Sequence, residues 1–134
     1  MHDIDYIPTF QYTTIYQRND LAVDISKLSA NQDGYVFSIT ATNKSEYQQR
    51  LNCEMILIDG FQLEENFDFT LNSNESLTQE ITIPKTELAH YEIRDFNKLT
   101  FLGKLYYRGK DISVNFTAET QQLSEVNNKK EGLL

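Results

Sequence analysis

Two runs near the end of the chain limit what it can fold into. Leu99, Phe101, Leu105 and Tyr107 share one parity; Ile112, Val114, Phe116 and Ala118 share another, and only Arg108-Gly109-Lys110-Asp111 lies between. Successive side chains of a strand point to opposite faces, so this period of two specifies a half-buried antiparallel hairpin. The rhythm recurs upstream. Phe10, Tyr12 and Tyr16 predict a strand over about residues 9–17, Leu21, Val23 and Ile25 a second, and Tyr35, Phe37, Ile39 and Ala41 a third. Leu51, Cys53, Met55 and Leu57 fall on one parity while Ile56 and Ile58 fall on the other, which predicts a central strand covered on both faces in its second half.

Phe61 and Leu63, then Phe67, Phe69 and Leu71, predict extended structure interrupted at Glu64-Glu65-Asn66, and Leu77, Ile81 and Ile83 a strand stopped by Pro84. Asn31-Gln32-Asp33-Gly34, Asp59-Gly60 and Asn72-Ser73-Asn74-Glu75 are turn signals, because Asn, Asp and Gly tolerate the backbone conformations of a reversal. Lys85 to Tyr91 breaks the rhythm with good helix formers and an apolar Leu88/Tyr91 pair at i+3, predicting a short helical crossover near residues 85–91 with Ile93 and Phe96 tucked inward. Seven to eight strands at this spacing specify an all-β antiparallel fold, and one polar parity in most strands favours a sandwich over a barrel.

A length of 134 residues supports one core. The expected division is a lead-in over 1–8, one sandwich domain over 9–120, and a polar tail over 121–134 where periodicity ends. Twelve basic against 20 acidic residues give a formal charge of -8, which repels phosphate backbones and argues against direct nucleic-acid binding. Cys53 is the single cysteine, so no intramolecular disulfide can brace the fold. The first residues are acidic where an export signal is basic, and no apolar run approaches the roughly 20 residues of a membrane span. Cytoplasmic placement is the expectation, or an extracellular one if an export signal has been removed.

Chemistry-bearing patterns are sparse. His2 and His90 are the only histidines, and Cys53 lies on an alternating strand face where a free thiol behaves as a small hydrophobe, so no nucleophile–base pair is expected. Asp3 with Asp5, Glu64 with Glu65, and Glu75 with Glu80 read as solvated loop charge rather than a facing catalytic pair. No spacing matches a zinc or calcium site and no glycine loop opens a helix, so neither metal nor cofactor is expected. Three sequons, at Asn43, Asn74 and Asn115, are discounted as chance in an Asn- and Thr-rich chain. The abundant tyrosines remain. Tyr and Arg give rigid contact area with a polar tip, so Tyr106, Arg108 and Lys110 at the final hairpin, with Tyr47 and Arg50, form the expected partner-binding patch.

From about residue 34 to 120, Asn43, Asp59-Gly60, Leu88, Ile93, Leu99 and Phe101 occupy places similar to those in a small immunoglobulin-like sandwich domain of Firmicutes lipoproteins and surface proteins. The chain departs from that pattern in having no lipobox or signal. The resemblance implies an immunoglobulin-like fold and a binding or scaffolding role without catalytic residues. The expected function is therefore a non-catalytic protein-interaction domain of bacterial origin. A small acidic inhibitor or adaptor encoded by a phage or mobile element, and a carbohydrate-binding module, are the alternatives. The Thr-rich first strand is the expected sheet edge, through which a second copy can pair.

Overall fold

The computed structural model describes residues 13–26, 28–93 and 96–119. Ten strands and one helix follow in the order β1 (Thr13–Arg18), β2 (Leu21–Ile25), β3 (Ser29–Asn31), β4 (Gly34–Asn43), β5 (Gln49–Ile58), β6 (Phe61–Gln62), β7 (Phe67–Leu71), β8 (Glu75–Pro84), α1 (Lys85–His90), β9 (Lys98–Tyr107) and β10 (Lys110–Glu119). Eight strands have five or more residues, in keeping with the periodicity. Of the two short ones, β6 lies where Phe61 and Leu63 predict extended structure, whereas β3 falls in a polar segment without alternation and is a strand by backbone pairing. The expected start of the first strand at residues 9–12, the lead-in and the tail lie outside the described residues.

Every pairing is antiparallel. One sheet runs β1-β2-β4-β8, with β3 beside the first residues of β4; the other runs β10-β9-β5, with β7 and β6 together along the far side of β5. The chain passes between sheets at β4→β5, β7→β8 and β8→β9, the last time through α1, giving an all-β antiparallel sandwich. β1 is an edge strand as expected, and β8, over ten residues, is a longer one at the opposite rim.

The inner faces supply the core. Phe101 of β9 sits at its centre, stacked on Phe116 at 5.2 Å between centroids, tilted against Phe67 at 6.1 Å and edge-on to Phe37 of the opposite sheet at 6.5 Å. Such offset and edge-on rings bury large apolar area in favourable quadrupole geometry. At one rim Tyr16 of β1 tilts over Phe116 of β10 at 5.0 Å, drawing the two edges together, and burial there pushes the Tyr16 hydroxyl above its ordinary pKa.

The strand β5 corrects one expectation. Its two apolar parities do not mean cover on both faces. The register against β9 shifts between Cys53 and Met55, a bulge that moves the inward parity from Leu51 and Cys53 to Ile56 and Ile58. Met55 and Leu57 are thereby left half-buried on the outer face. Gly103 faces Cys53 at this bulge, and a Cβ there would lie 2.0 Å from the Asn52 carbonyl oxygen, so only glycine permits the approach.

The final hairpin is tighter than its sequence implies. Lys110 and Asp111 belong to β10, leaving Arg108-Gly109 as a two-residue turn with φ of 53° and 77°. Asn19-Asp20 (54°, 61°) and Asp59-Gly60 (46°, 91°) join their strands in the same way. Positive φ at both central positions is the type I′ geometry whose twist matches paired strands. The helix α1 is six residues long, starts after Pro84 with no side-chain cap, and ends in a Schellman arrangement. Ile93 N–H donates to Leu88 O at 2.8 Å and Glu92 N–H to Ala89 O at 3.1 Å, with Glu92 at φ 57°.

Candidate functional site

Four connections gather at one end of the sandwich: β1–β2, β4–β5, β7–β8 and β9–β10. The longest of them, residues 44–48, is anchored by Asn43, a fully buried polar residue at the end of β4. Asn43 Nδ2 donates toward the carbonyls of Tyr47 (2.8 Å), Leu71 (3.1 Å) and Asn72 (3.1 Å), while Oδ1 accepts from Ser45 N–H (3.0 Å), Ser45 Oγ (2.7 Å) and Gln49 Nε2 (3.1 Å). Gln49 Nε2 also reaches Asn19 O at 2.8 Å, and Ser73 Oγ donates to Ser45 O at 2.6 Å. One neutral side chain thus ties the 44–48 loop to the β7–β8 turn, and Gln49 extends the tie to the β1–β2 turn. A buried amide must satisfy its hydrogen bonds, and here it does so by fixing the loops. The Asn43 amide is consumed in this network.

On that base stands Tyr47. It is 44% exposed and, with Phe61, one of two large exposed hydrophobics among the described residues. Tyr107 meets it edge-on at 6.2 Å, and the Arg108 guanidinium lies 4.3 Å from its ring centroid. The I′ turn places Arg108 there, and the stack holds a long cation over an aromatic face. Arg50 and Tyr106 form a second group on the outer face of the β10-β9-β5 sheet. They are direct cross-strand partners, with the guanidinium 5.4 Å from the ring centroid. Arg50 binds Asp68 of β7 through two hydrogen bonds of 3.0 and 2.6 Å, and that carboxylate raises the Arg50 pKa. Lys110 is exposed opposite Tyr107 in register.

Four of the five residues expected from sequence therefore fall into two neighbouring groups, and Lys110 stands beside them across from Tyr107. Tyr47 and Arg108 crown the turn end, and Arg50 and Tyr106 begin the sheet face beside it. Tyr107 and Asp68 join them, and sequence reasoning missed both. Tyr107 has inward parity but lies where the core ends; Asp68 reads as any outward strand carboxylate. The outer face of the opposite sheet is a hydroxyl ladder, with Thr40 and Thr78 at 2.8 Å and Thr42 and Ser76 at 2.8 Å.

The candidates for chemistry are placed otherwise. Cys53 is 1% exposed, its thiol donates to Met55 O at 3.4 Å, and burial pushes its pKa up to about 12, so it is no nucleophile at neutral pH. His90 is exposed at the end of α1, edge-on to Tyr91 at 5.0 Å. The Asp59 carboxylate accepts the amides of Asn97 (3.1 Å) and Lys98 (3.0 Å). Among the described residues no group of three His, Cys, Asp or Glu side chains is arranged to hold a metal ion, and no helix is long and apolar enough to cross a membrane.

No family model, curated protein or solved structure matches this chain.

Proposed function

We propose that this domain is a non-catalytic protein-interaction module whose contact surface is the Tyr47–Tyr107–Arg108 crown, continued by Arg50 and Tyr106. The observation that supports it most is the exposure of Tyr47 on a loop that the buried Asn43 network fixes. Rigid, half-exposed Tyr and Arg side chains lose little conformational entropy on association, which is why they dominate interface energetics. The reading is tested by affinity capture from the native host, comparing wild type with a Tyr47→Ala/Arg108→Ala variant. Loss of a specific partner with an unchanged circular dichroism spectrum supports it. Retention of every partner rejects it.

A second reading, self-association through a sheet edge, is favoured by β8, whose ten residues pair with β4 on one side. Glu75 and Glu80, and Pro84 at its end, are residues that blunt such an edge. Light scattering on a sizing column distinguishes a monomer from a dimer.

A further inference from the structure

At the other end of the sandwich, α1 meets the segment from β6 into the β6–β7 loop through carboxyl, hydroxyl and aromatic contacts. Glu87 Oε2 of α1 accepts the Glu64 N–H at 2.9 Å. The Tyr91 hydroxyl donates to Gln62 O at 2.7 Å, and the Tyr91 ring stacks on Phe61 at 4.8 Å. A cavity of about 290 Å³ lies at this junction, lined by Glu64, Thr86, Glu87, His90 and Tyr91. Glu65 is half-buried, and its Oε1 is shut off from solvent with no hydrogen-bond partner. The side chain it meets is Glu87, a second carboxyl. Two carboxylates have no donor between them; a proton on one supplies it.

We propose that Glu65 and Glu87 form an acid-tightened latch that ties the β6–β7 loop to α1 through a shared proton. The charged groups acting on Glu65 are Glu87 from the helix and Glu64 from its own loop, both of which disfavour ionisation. His90 and Tyr91 line the adjoining cavity, and from β8 the neutral Gln79 amide reaches Asn66 O at 3.3 Å. Burial first, then the hydrogen bond and charge of Glu87, raise the Glu65 pKa from 4.5 to about 7. A carboxyl raised in the folded state stabilises most below its unfolded value. That stabilisation is complete below 4.5 and is lost as pH rises to about 7. Because Phe61 and Tyr91 sit on the same junction, acid also firms the exposed aromatic surface of this end.

The test uses the full chain and two readouts. The Glu65 carboxyl carbon is followed by NMR from about pH 4 to about pH 9, and exchange of the Glu64 amide is measured over the same range and corrected for intrinsic rate. The latch gives a Glu65 midpoint near 7 and Glu64 protection about tenfold higher at about pH 5 than at about pH 7.5; solvent screening of the half-exposed pair keeps the change near that size. Glu65→Gln, whose amide donates at every pH, removes the pH dependence. A midpoint near the ordinary 4.5, or wild-type protection that ignores pH, overturns the proposal. If the variant fails to fold, the wild-type titration decides alone.

Discussion

The two ends of this sandwich solve the same problem with different chemistry. β5 spans ten residues, about 33 Å at strand rise, and each of its ends faces a cluster of loops that must be held down. At the turn end the fastening is neutral: the Asn43 amide, Ser45 and Ser73 hydroxyls and the Gln49 amide bind backbone groups from three connections. At the crossover end it is ionic: Asp59 caps Asn97 and Lys98, Glu87 caps Glu64, and Glu65 is pressed against Glu87. A neutral network keeps its strength over the range where carboxyls titrate, whereas a carboxyl network is tuned by protons. Position in the fold therefore says little about how a loop responds to conditions; the donors and acceptors that hold it say more.

Breaking the neutral end should cost most. Asn43→Ala strands several buried carbonyls and hydroxyls at once and is expected to destabilise the domain by about 3 kcal/mol in denaturant unfolding. The loss should be equal at about pH 5 and about pH 8; a pH-dependent loss would erase the contrast between the ends. Asp59→Ala removes the acceptor for two exposed amides and also a residue that tolerates positive φ. The expected cost is about 1.5 kcal/mol, with Asp59→Asn recovering the turn preference but not the charge-assisted bonds. Glu92→Gly should stabilise by about 0.5 kcal/mol, because Glu92 occupies the left-handed position of the Schellman turn and adds negative charge to a helix C-terminus. A thermal melt resolves each of these. Tyr47→Ala should change stability by less than about 0.5 kcal/mol, since its anchoring contacts run through its backbone. A larger loss would mean that the crown holds the loop, rather than the loop presenting the crown.

Architecture was legible wherever one parity was apolar and the other polar. Tyr35 to Ala41 and the Leu99–Ala118 hairpin show this alternation, and the break in it from Lys85 to Tyr91 marked the helical crossover. Legibility failed where side chains carry no pattern or a misleading one. β3 is held by main-chain pairing, and the β5 bulge makes a one-faced strand look two-faced. The site was legible as residue types and not as geometry. Tyr47, Arg50, Tyr106 and Arg108 were picked out for exposure, but which stacks on which depends on β5–β9 register and a two-residue turn. Asn43 read as a discounted sequon, and Glu65, with Glu64, as solvated loop charge. Burial and the meeting of Glu65 with Glu87 arise only in the folded chain.

The Asn43 amide and the Ser45 and Ser73 hydroxyls grip the 44–48 segment through backbone atoms, leaving the side chains of Glu46 and Tyr47 directed outward and Gln48 bonded to Asn72 at the surface. Identity at those three positions and fixation of the loop are thus separable. A library randomised at 46, 47, 48 and 108 would vary what the domain displays while preserving the frame that displays it, making this end a graft site for selecting new binders.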